Sequence, residues 1–176
     1  MKRFLIVVDM QKDFVDGVLG SPAAVAIVPR VVDKIVGFAG EVIATYDTHT
    51  EQYMDTNEGS HLPVPHCIRG TDGWQLDARV ADALAGRPYH TIEKPTFGST
   101  ALPDLIREIA GDEDFTIELV GLCTDICVVS NALLLKANFP EHEIFVDAAC
   151  CAGVSDVTHQ AALATMKCCQ IQVTNE

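Results

Sequence analysis

Short apolar runs rich in β-branched residues recur along the chain and predict six β-strands. The predicted strands are Phe4–Val8, Val42–Tyr46, Tyr89–Ile92, Phe115–Val120, Ile144–Val146 and Ile171–Val173. These runs are apolar almost throughout, which is typical of strands that are buried on both faces of a parallel sheet.

Longer stretches between the runs have helical spacing of their apolar residues. The clearest begins at Pro22, a residue suited to the first turn of a helix, and continues through residues 25–36. Alternating strands and helices predict a three-layer α/β/α fold with a mostly parallel six-stranded sheet, and we expect residues 1–176 to form this single domain. The one long irregular stretch runs from Asp47 to about Thr71, and loops of that length are usually functional.

The charge of the chain narrows the choice of partners. It has 12 Lys and Arg against 25 Asp and Glu, a formal net charge of −13. An acidic chain without a basic cluster repels phosphate backbones, so we expect no nucleic acid partner. Nor do we expect a membrane partner, because no apolar run approaches the roughly 20 residues of a membrane-spanning helix. The apolar start, Phe4–Val8, is cut short by Asp9 and is interpreted as a strand rather than a signal peptide.

Seven cysteines are an odd number for a disulfide framework, and four of them form the adjacent pairs 150–151 and 168–169. A reducing, cytoplasmic location fits this usage best. Cys67 and the two adjacent pairs are interpreted as small core residues, because their spacings fit no standard zinc motif.

Candidate chemistry lies where the predicted strands end. Ligands of open parallel sheets bind outside the carboxyl ends of the strands. There the first strand reaches Asp9, the third reaches Lys94, and the fourth is followed closely by Cys127. A helix start and a nearby cation both stabilise a thiolate, so Cys127 is a candidate nucleophile with Lys94 as the cation. Asp9 is placed to accept the thiol proton and return it to a leaving amine.

The turn after the fourth strand also offers a candidate oxyanion hole. The backbone N–H groups of Cys123 and Cys127 lie in this turn and could stabilise a tetrahedral intermediate. Taken singly, an Asp after a strand, a lone Lys and a Cys near a helix start are each more often structural than catalytic.

A second group of polar residues lies in the long loop. Asp47-Thr48-His49 and Pro65-His66-Cys67 offer one carboxylate and two imidazoles, a set suited to zinc or another first-row divalent ion. Alternate residues of an extended segment point the same way, so Asp47 and His49 can reach one ion. The same side chains could equally be solvated in a polar loop.

Three segments together carry a resemblance to a known family: VVDMQKDF at residues 7–14, EKPTFGS at 93–99 and GLCTDICV at 121–128. In these segments, and in their order, the chain resembles the isochorismatase-like cysteine hydrolases. The resemblance implies that Asp9, Lys94 and Cys127 form a catalytic triad on a sheet of strand order 3-2-1-4-5-6. It also implies a cis peptide bond between Leu122 and Cys123.

Within that family, the Asp-x-His and Pro-His-Cys segments are similar to the metal site of the nicotinamidases. The resemblance implies that Asp47, His49 and His66 bind a divalent metal, Zn²⁺ before Fe²⁺ or Mn²⁺, and it makes Glu58 a further candidate ligand. His61, in the same loop, matches no ligand position and is interpreted as a surface or outer-sphere histidine.

Pocket residues follow from the same resemblance. Phe14 matches one aromatic wall of the nicotinamidase pocket, and Phe97 is a second candidate wall because it lies close after Lys94. The chain departs from the pattern at Pro63, where many nicotinamidases have an aromatic residue.

The resulting functional prediction is deamidation of nicotinamide to nicotinate and ammonia through a cysteine thioester. Two alternatives stay open: hydrolysis of another small amide, such as an N-carbamoyl compound, which Pro63 favours, and a non-catalytic ligand-binding member of the fold. The helix predicted around Ile126–Ala137 is richer in apolar residues than one buried face requires, so we also expect a homo-oligomer.

Overall fold

The computed structural model describes residues 1–176, and its centre is one six-stranded sheet in which every pairing is parallel. The strands are β1 Lys2–Val8, β2 Glu41–Asp47, β3 His90–Lys94, β4 Phe115–Leu122, β5 Glu143–Ala152 and β6 Gln172–Thr174. Their order is β3-β2-β1-β4-β5-β6, which confirms both the predicted fold class and the predicted strand order.

Seven α-helices connect and cover the strands. They are α1 Lys12–Val15, α2 Pro22–Gly37, α3 Asn57–His61, α4 Ala78–Ala85, α5 Leu102–Ala110, α6 Val129–Asn138 and α7 Asp156–Cys168. A 3₁₀ turn at Tyr53–Asp55 precedes α3, and a π-helical turn at Thr124–Val128 leads into α6. None of the helices is long and apolar enough to cross a bilayer.

The two faces of the sheet form two separate cores, as alternation along β1 shows. Phe4, Ile6 and Val8 pack with α5, α6 and α7 on one face, whereas Leu5 and Val7 pack with α1, α2 and α4 on the other. The helices therefore make the outer layers of a three-layer fold, and the carboxyl ends of β1 to β4 meet at one edge.

The strands differ from their predicted bounds by one or two residues at one or both ends, except that β5 continues six residues further, to Ala152 rather than Val146. β3 extends to Lys94 because its ladder with β2 continues to the pair Asp47↔Lys94, whatever the polarity of the side chains. β5 is ten residues long and continues through small buried Ala and Cys residues. Small residues of this kind carry a weak strand signal, so the apolar pattern located only its first half.

The prediction that five cysteines are core residues is wrong for Cys168 and Cys169, which are exposed at the end of α7. The buried side of that helix carries Leu163 and Met166, and the chain leaves the helix at Cys168 before it turns back to the sheet. Cys67, Cys150 and Cys151 are buried, and all seven cysteines are free.

Candidate active site

The structure brings Asp9, Lys94 and Cys127 together beneath the carboxyl edge of the sheet. Lys94 Nζ lies 2.6 Å from Asp9 Oδ2 and 3.5 Å from Cys127 Sγ. Asp9 is completely buried, Lys94 is 1% exposed and Cys127 is 5% exposed. One ammonium group therefore touches both the carboxylate and the thiol, away from bulk water.

Burial and neighbouring charges set the proton affinities of this trio. Burial raises the pKa of Asp9, against the opposing effect of the Lys94 ammonium. Burial would lower the pKa of Lys94, but the carboxylates of Asp9 and Asp47 raise it, so the ammonium stays charged. Burial and the Asp9 carboxylate also raise the pKa of Cys127 well above its usual value. Burial and the neighbouring carboxylate therefore favour the thiol form of Cys127, beside the residue that is expected from the sequence to accept its proton.

Thr45 holds Asp9 in place, and its role was missed in the sequence. Its hydroxyl donates to Asp9 Oδ1 at 2.6 Å and accepts from the Asp9 N–H at 3.2 Å. Asp9 has the left-handed φ of 47°, which a non-glycine residue adopts only when its surroundings enforce it. The available signal was a single threonine inside the apolar run Val42–Tyr46.

We expect Thr45→Val to impair both stability and turnover. Valine fills the same volume but leaves Asp9 Oδ1 without its donor, and a hydrogen bond to a charged group contributes about 1.5–3 kcal/mol. The free energy of unfolding in urea should fall by that amount, and kcat should fall by about tenfold or more. Thr91→Val is the control, because Thr91 is an exposed strand residue. Equal effects of the two substitutions would contradict the assigned role of Thr45.

The turn at residues 123–128 carries the candidate nucleophile Cys127, is called the nucleophile turn below, and follows β4 directly. The peptide bond between Leu122 and Cys123 is cis. Cys127 lies in the π-helical turn, and the N–H of Cys123 makes no hydrogen bond within the chain. Gly121 precedes this turn with a φ of 116°, and a Cβ there would lie 2.2 Å from the carbonyl oxygen of Val8. Only glycine therefore lets β4 pass this close to β1 at the point where Asp9 and the turn meet.

Four side chains of the loop after β2 converge beside this trio. Asp47, His49, Glu58 and His66 each place one ligand atom within 4.8 Å of the others. His49 Nε2 and His66 Nε2 lie 3.0 and 3.5 Å from Asp47 Oδ2, and both lie 3.7 Å from Glu58 Oε1.

Backbone pairing explains how His49 and His66, which are 17 positions apart in sequence, come to share one site. The N–H of His49 donates to the carbonyl of Cys67 at 3.0 Å, and the N–H of Arg69 donates to the carbonyl of His49 at 2.9 Å. Gln11 fixes the end of β2, because its side-chain amide donates to and accepts from the Asp47 backbone at 2.8 Å each way. Gln11 lies in the first family segment, but nothing in its pattern distinguished it from its neighbours.

The donor set fits a divalent cation. His66 Nδ1 lies 2.8 Å from the carbonyl oxygen of Val64, which can only accept, so Nδ1 carries the proton and Nε2 presents its lone pair to the group. Two carboxylates and two imidazoles are a combination that zinc and related ions bind. The ring of Tyr53 packs against both imidazoles, with centroids 4.8 and 5.0 Å away, and restricts their orientation. His61 is exposed and bonds to Asn57 instead, away from this group.

A cavity of about 300 Å³ opens over both groups of polar residues. Cys127, Asp47, Glu58 and His66 line this cavity. Its walls are mainly apolar and include Phe14, Leu19, Leu62, Phe97, Ile126 and Val154. Phe14 and Phe97 therefore both line the cavity, and Leu62 rather than the adjacent Pro63 faces it.

Comparisons with known proteins identify the chain as an amide-hydrolysing enzyme of the isochorismatase-like fold. The chain belongs to the isochorismatase family, because the family model described as "Isochorismatase domain" matches residues 3–176. Among curated proteins, it is 29% identical to the nicotinamidase/pyrazinamidase of Mycobacterium tuberculosis, over 97% of each chain.

Solved structures agree with this assignment. The nicotinamidase/pyrazinamidase PncA of Bacillus subtilis is 28% identical, with a TM-score of 0.85, and the match covers 99% of this chain and all of that one. A pyrazinamidase of Pyrococcus horikoshii, solved in complex with zinc, matches over the whole of both chains with a TM-score of 0.80. At 24% identity, the Pyrococcus structure supports the fold alone. The more similar relatives support amidohydrolase activity over a non-catalytic role.

Proposed function

We propose that this enzyme deamidates nicotinamide to nicotinate and ammonia, with Cys127 as the nucleophile. The observation that carries the proposal is the position of Cys127. Its Sγ lies 3.5 Å from Lys94 Nζ, and it lines the same cavity as the candidate metal ligands Asp47, Glu58 and His66. Similarity to proteins named nicotinamidase/pyrazinamidase supports this choice of substrate.

In the first half-reaction, Asp9 takes the proton of the Cys127 thiol as Sγ attacks the carboxamide carbon. The carbonyl oxygen becomes an oxyanion, which the N–H groups of Cys123 and Cys127 stabilise. As the C–N bond breaks, Asp9 returns the proton to the departing nitrogen, which leaves as ammonia. The acyl group remains on Cys127 as a thioester.

Water completes the reaction. Asp9, again a carboxylate, takes a proton from a water molecule as its oxygen attacks the thioester carbon. The C–S bond breaks, the carboxylic acid leaves, and the proton on Asp9 returns to the thiolate of Cys127. Lys94 keeps its charge throughout and holds Asp9 through their 2.6 Å ion pair.

Asp47, His49, Glu58 and His66 would hold a divalent metal, and we propose Zn²⁺, with Fe²⁺ or Mn²⁺ as alternatives. When bound, such an ion would act as a Lewis acid that binds a ring nitrogen of the substrate and so orients the ring. The set of two carboxylates and two imidazoles supports this choice of metal.

Ammonia release from nicotinamide by the purified enzyme tests the substrate and the metal together. We expect release that falls when a chelator removes the metal and returns when Zn²⁺ is added back. His66→Ala should weaken metal binding by about 100-fold or more, since even outer-sphere partners cost 10–100-fold. Metal content by atomic absorption gives a second readout.

His61→Ala is the matched control, because His61 belongs to the same loop but lies outside the group of ligands. It should keep both metal content and turnover. Full activity in metal-free enzyme would contradict the proposed role of the ion, and no ammonia from nicotinamide would contradict the proposed substrate.

A second candidate is hydrolysis of another small amide, such as an N-carbamoyl compound. The observation that favours it is the aliphatic wall at Leu62, beside Pro63, where the resemblance led us to expect an aromatic residue. Ammonia release from a panel of small amides distinguishes the two candidates.

Two further expectations stay proposals. The seven free cysteines favour the reducing conditions of the cytoplasm. A homo-oligomer also stays a prediction. It is supported by Leu133 and Leu134 of α6, which are only half-buried and leave apolar surface on that helix.

A further inference from the structure

Asn131 is a completely buried polar side chain that the proposed reaction does not use. It lies on α6, one helical turn after Cys127, beside the buried Ala132 and Leu135. A buried amide lowers stability unless it is hydrogen-bonded, so its partners indicate its role.

The side chain of Asn131 joins the nucleophile turn to the loop that follows β3. Its Nδ2 donates to the carbonyl of Cys127 at 2.8 Å and to the carbonyl of Phe97 at 3.1 Å. Its Oδ1 accepts from the N–H of Ser99 at 2.9 Å. Two of the three bonds therefore hold the loop, and the third holds the residue that carries the nucleophile.

The loop has few other attachments. Residues 95–98 make no backbone–backbone hydrogen bond, and the side chains of residues 95–97 are exposed. The other bond to this segment is the one that Lys94 Nζ donates to the carbonyl of Thr96, at 3.0 Å. Phe97 lines the cavity although its side chain is 42% exposed, so its position depends on these few bonds.

We propose that Asn131 is a positioning residue that sets the place of the Phe97 wall relative to Cys127, and through it the fit of a ring-bearing amide. The inference rests on the proposed function, because it assigns Phe97 to the substrate ring. One short side chain reaches both backbones, so a single amide group links the Phe97 wall to Cys127, in addition to the bond from Lys94 Nζ to the carbonyl of Thr96.

Asn131→Thr separates the loop bonds from the helix bond. A helical threonine can donate to the carbonyl four residues earlier, here that of Cys127, but it is too short to hold the loop. We expect the KM for nicotinamide to rise on the order of tenfold while kcat changes by less than about twofold. Asn131→Ala, which loses all three bonds, should lower kcat as well.

The control is Asn138→Ala. Asn138 lies on the same helix and its amide donates to the carbonyl four residues earlier, that of Leu134, at 3.0 Å, without contact with the loop. Phe97→Ala completes a double-mutant cycle with Asn131→Thr. If Asn131 acts through Phe97, the double variant should have the KM of Phe97→Ala alone. Fully additive effects on KM, or an unchanged KM in Asn131→Thr, would overturn the inference.

Alkylation of Cys127 by iodoacetamide and by its N-phenyl derivative provides a readout that needs no substrate. Asn131→Thr should slow the reaction with the aromatic reagent several-fold more than the reaction with iodoacetamide, and Asn138→Ala should change neither. Equal changes with both reagents would overturn the inference. If the wild-type enzyme releases no ammonia from nicotinamide but the aromatic preference still depends on Asn131, the substrate proposal fails and the positioning role stands.

Discussion

Cys127→Ala is expected to lower kcat for amide hydrolysis by about 10⁴-fold or more and to leave the protein folded. The thiol is the only group in the proposed mechanism that forms a covalent bond to the substrate, and alanine offers no substitute. Cys127 is 5% exposed and its Sγ contacts Lys94, so the substitution removes one small buried atom. Ammonia release at saturating substrate, together with a urea unfolding curve, measures both effects.

Cys168→Ala is the matched control, because Cys168 is an exposed thiol at the end of α7 and should be dispensable. Asp9→Asn tests how Cys127 loses its proton. In the proposed mechanism Asp9 accepts that proton, and asparagine cannot act as a base, so the variant should turn over as slowly as Cys127→Ala. Substantial ammonia release by Cys127→Ala would contradict the assignment of the nucleophile.

The fold could be predicted because its two cores depend on the spacing of apolar residues, which can be read directly from the sequence. β1 is apolar on both faces, and the run that begins at Pro22 has the spacing of α2. The carboxyl edge then follows from topology, since parallel strands all end at the same side. The sequence alone therefore predicts that Asp9, Lys94 and Cys127 lie near each other.

The supporting residues could not be predicted in the same way. Thr45 and Gln11 each make two hydrogen bonds to a residue 36 positions away. Asn131 holds Phe97 and Ser99, which lie 34 and 32 positions away. Such contacts leave no periodic signal in a single sequence. Tyr53 is similar, because its packing against His49 and His66 depends on the path of an irregular loop. The exposed pair Cys168 and Cys169 shows the converse error, in which an apolar residue type was taken as evidence of burial.

Lys94→Met is expected to reduce both stability and activity. Lys94 lies 2.6 Å from Asp9 Oδ2 and 3.4 Å from Asp47 Oδ1, and it is the one cation that contacts both buried carboxylates. Removal of one partner from a buried ion pair typically costs about 3–5 kcal/mol, because the remaining charge is neither paired nor solvated. We expect the free energy of unfolding in urea to fall by about that amount. Turnover should be lost, because the ion pair that holds Asp9 beside Cys127 is gone and Asp9 is no longer placed to accept the thiol proton.

Two further variants separate this explanation from a simple loss of packing. Lys136→Met should have little effect, because Lys136 Nζ donates to the carbonyl of Pro140 at the surface and contacts no carboxylate. Lys94→Met combined with Asp9→Asn should be more stable than Lys94→Met alone and remain inactive, since the second change removes the unpaired charge without restoring a base. If the double variant is instead destabilised by the sum of the two single effects, the lost stability comes from packing, and Lys94 does not stabilise the site by balancing the charge of Asp9.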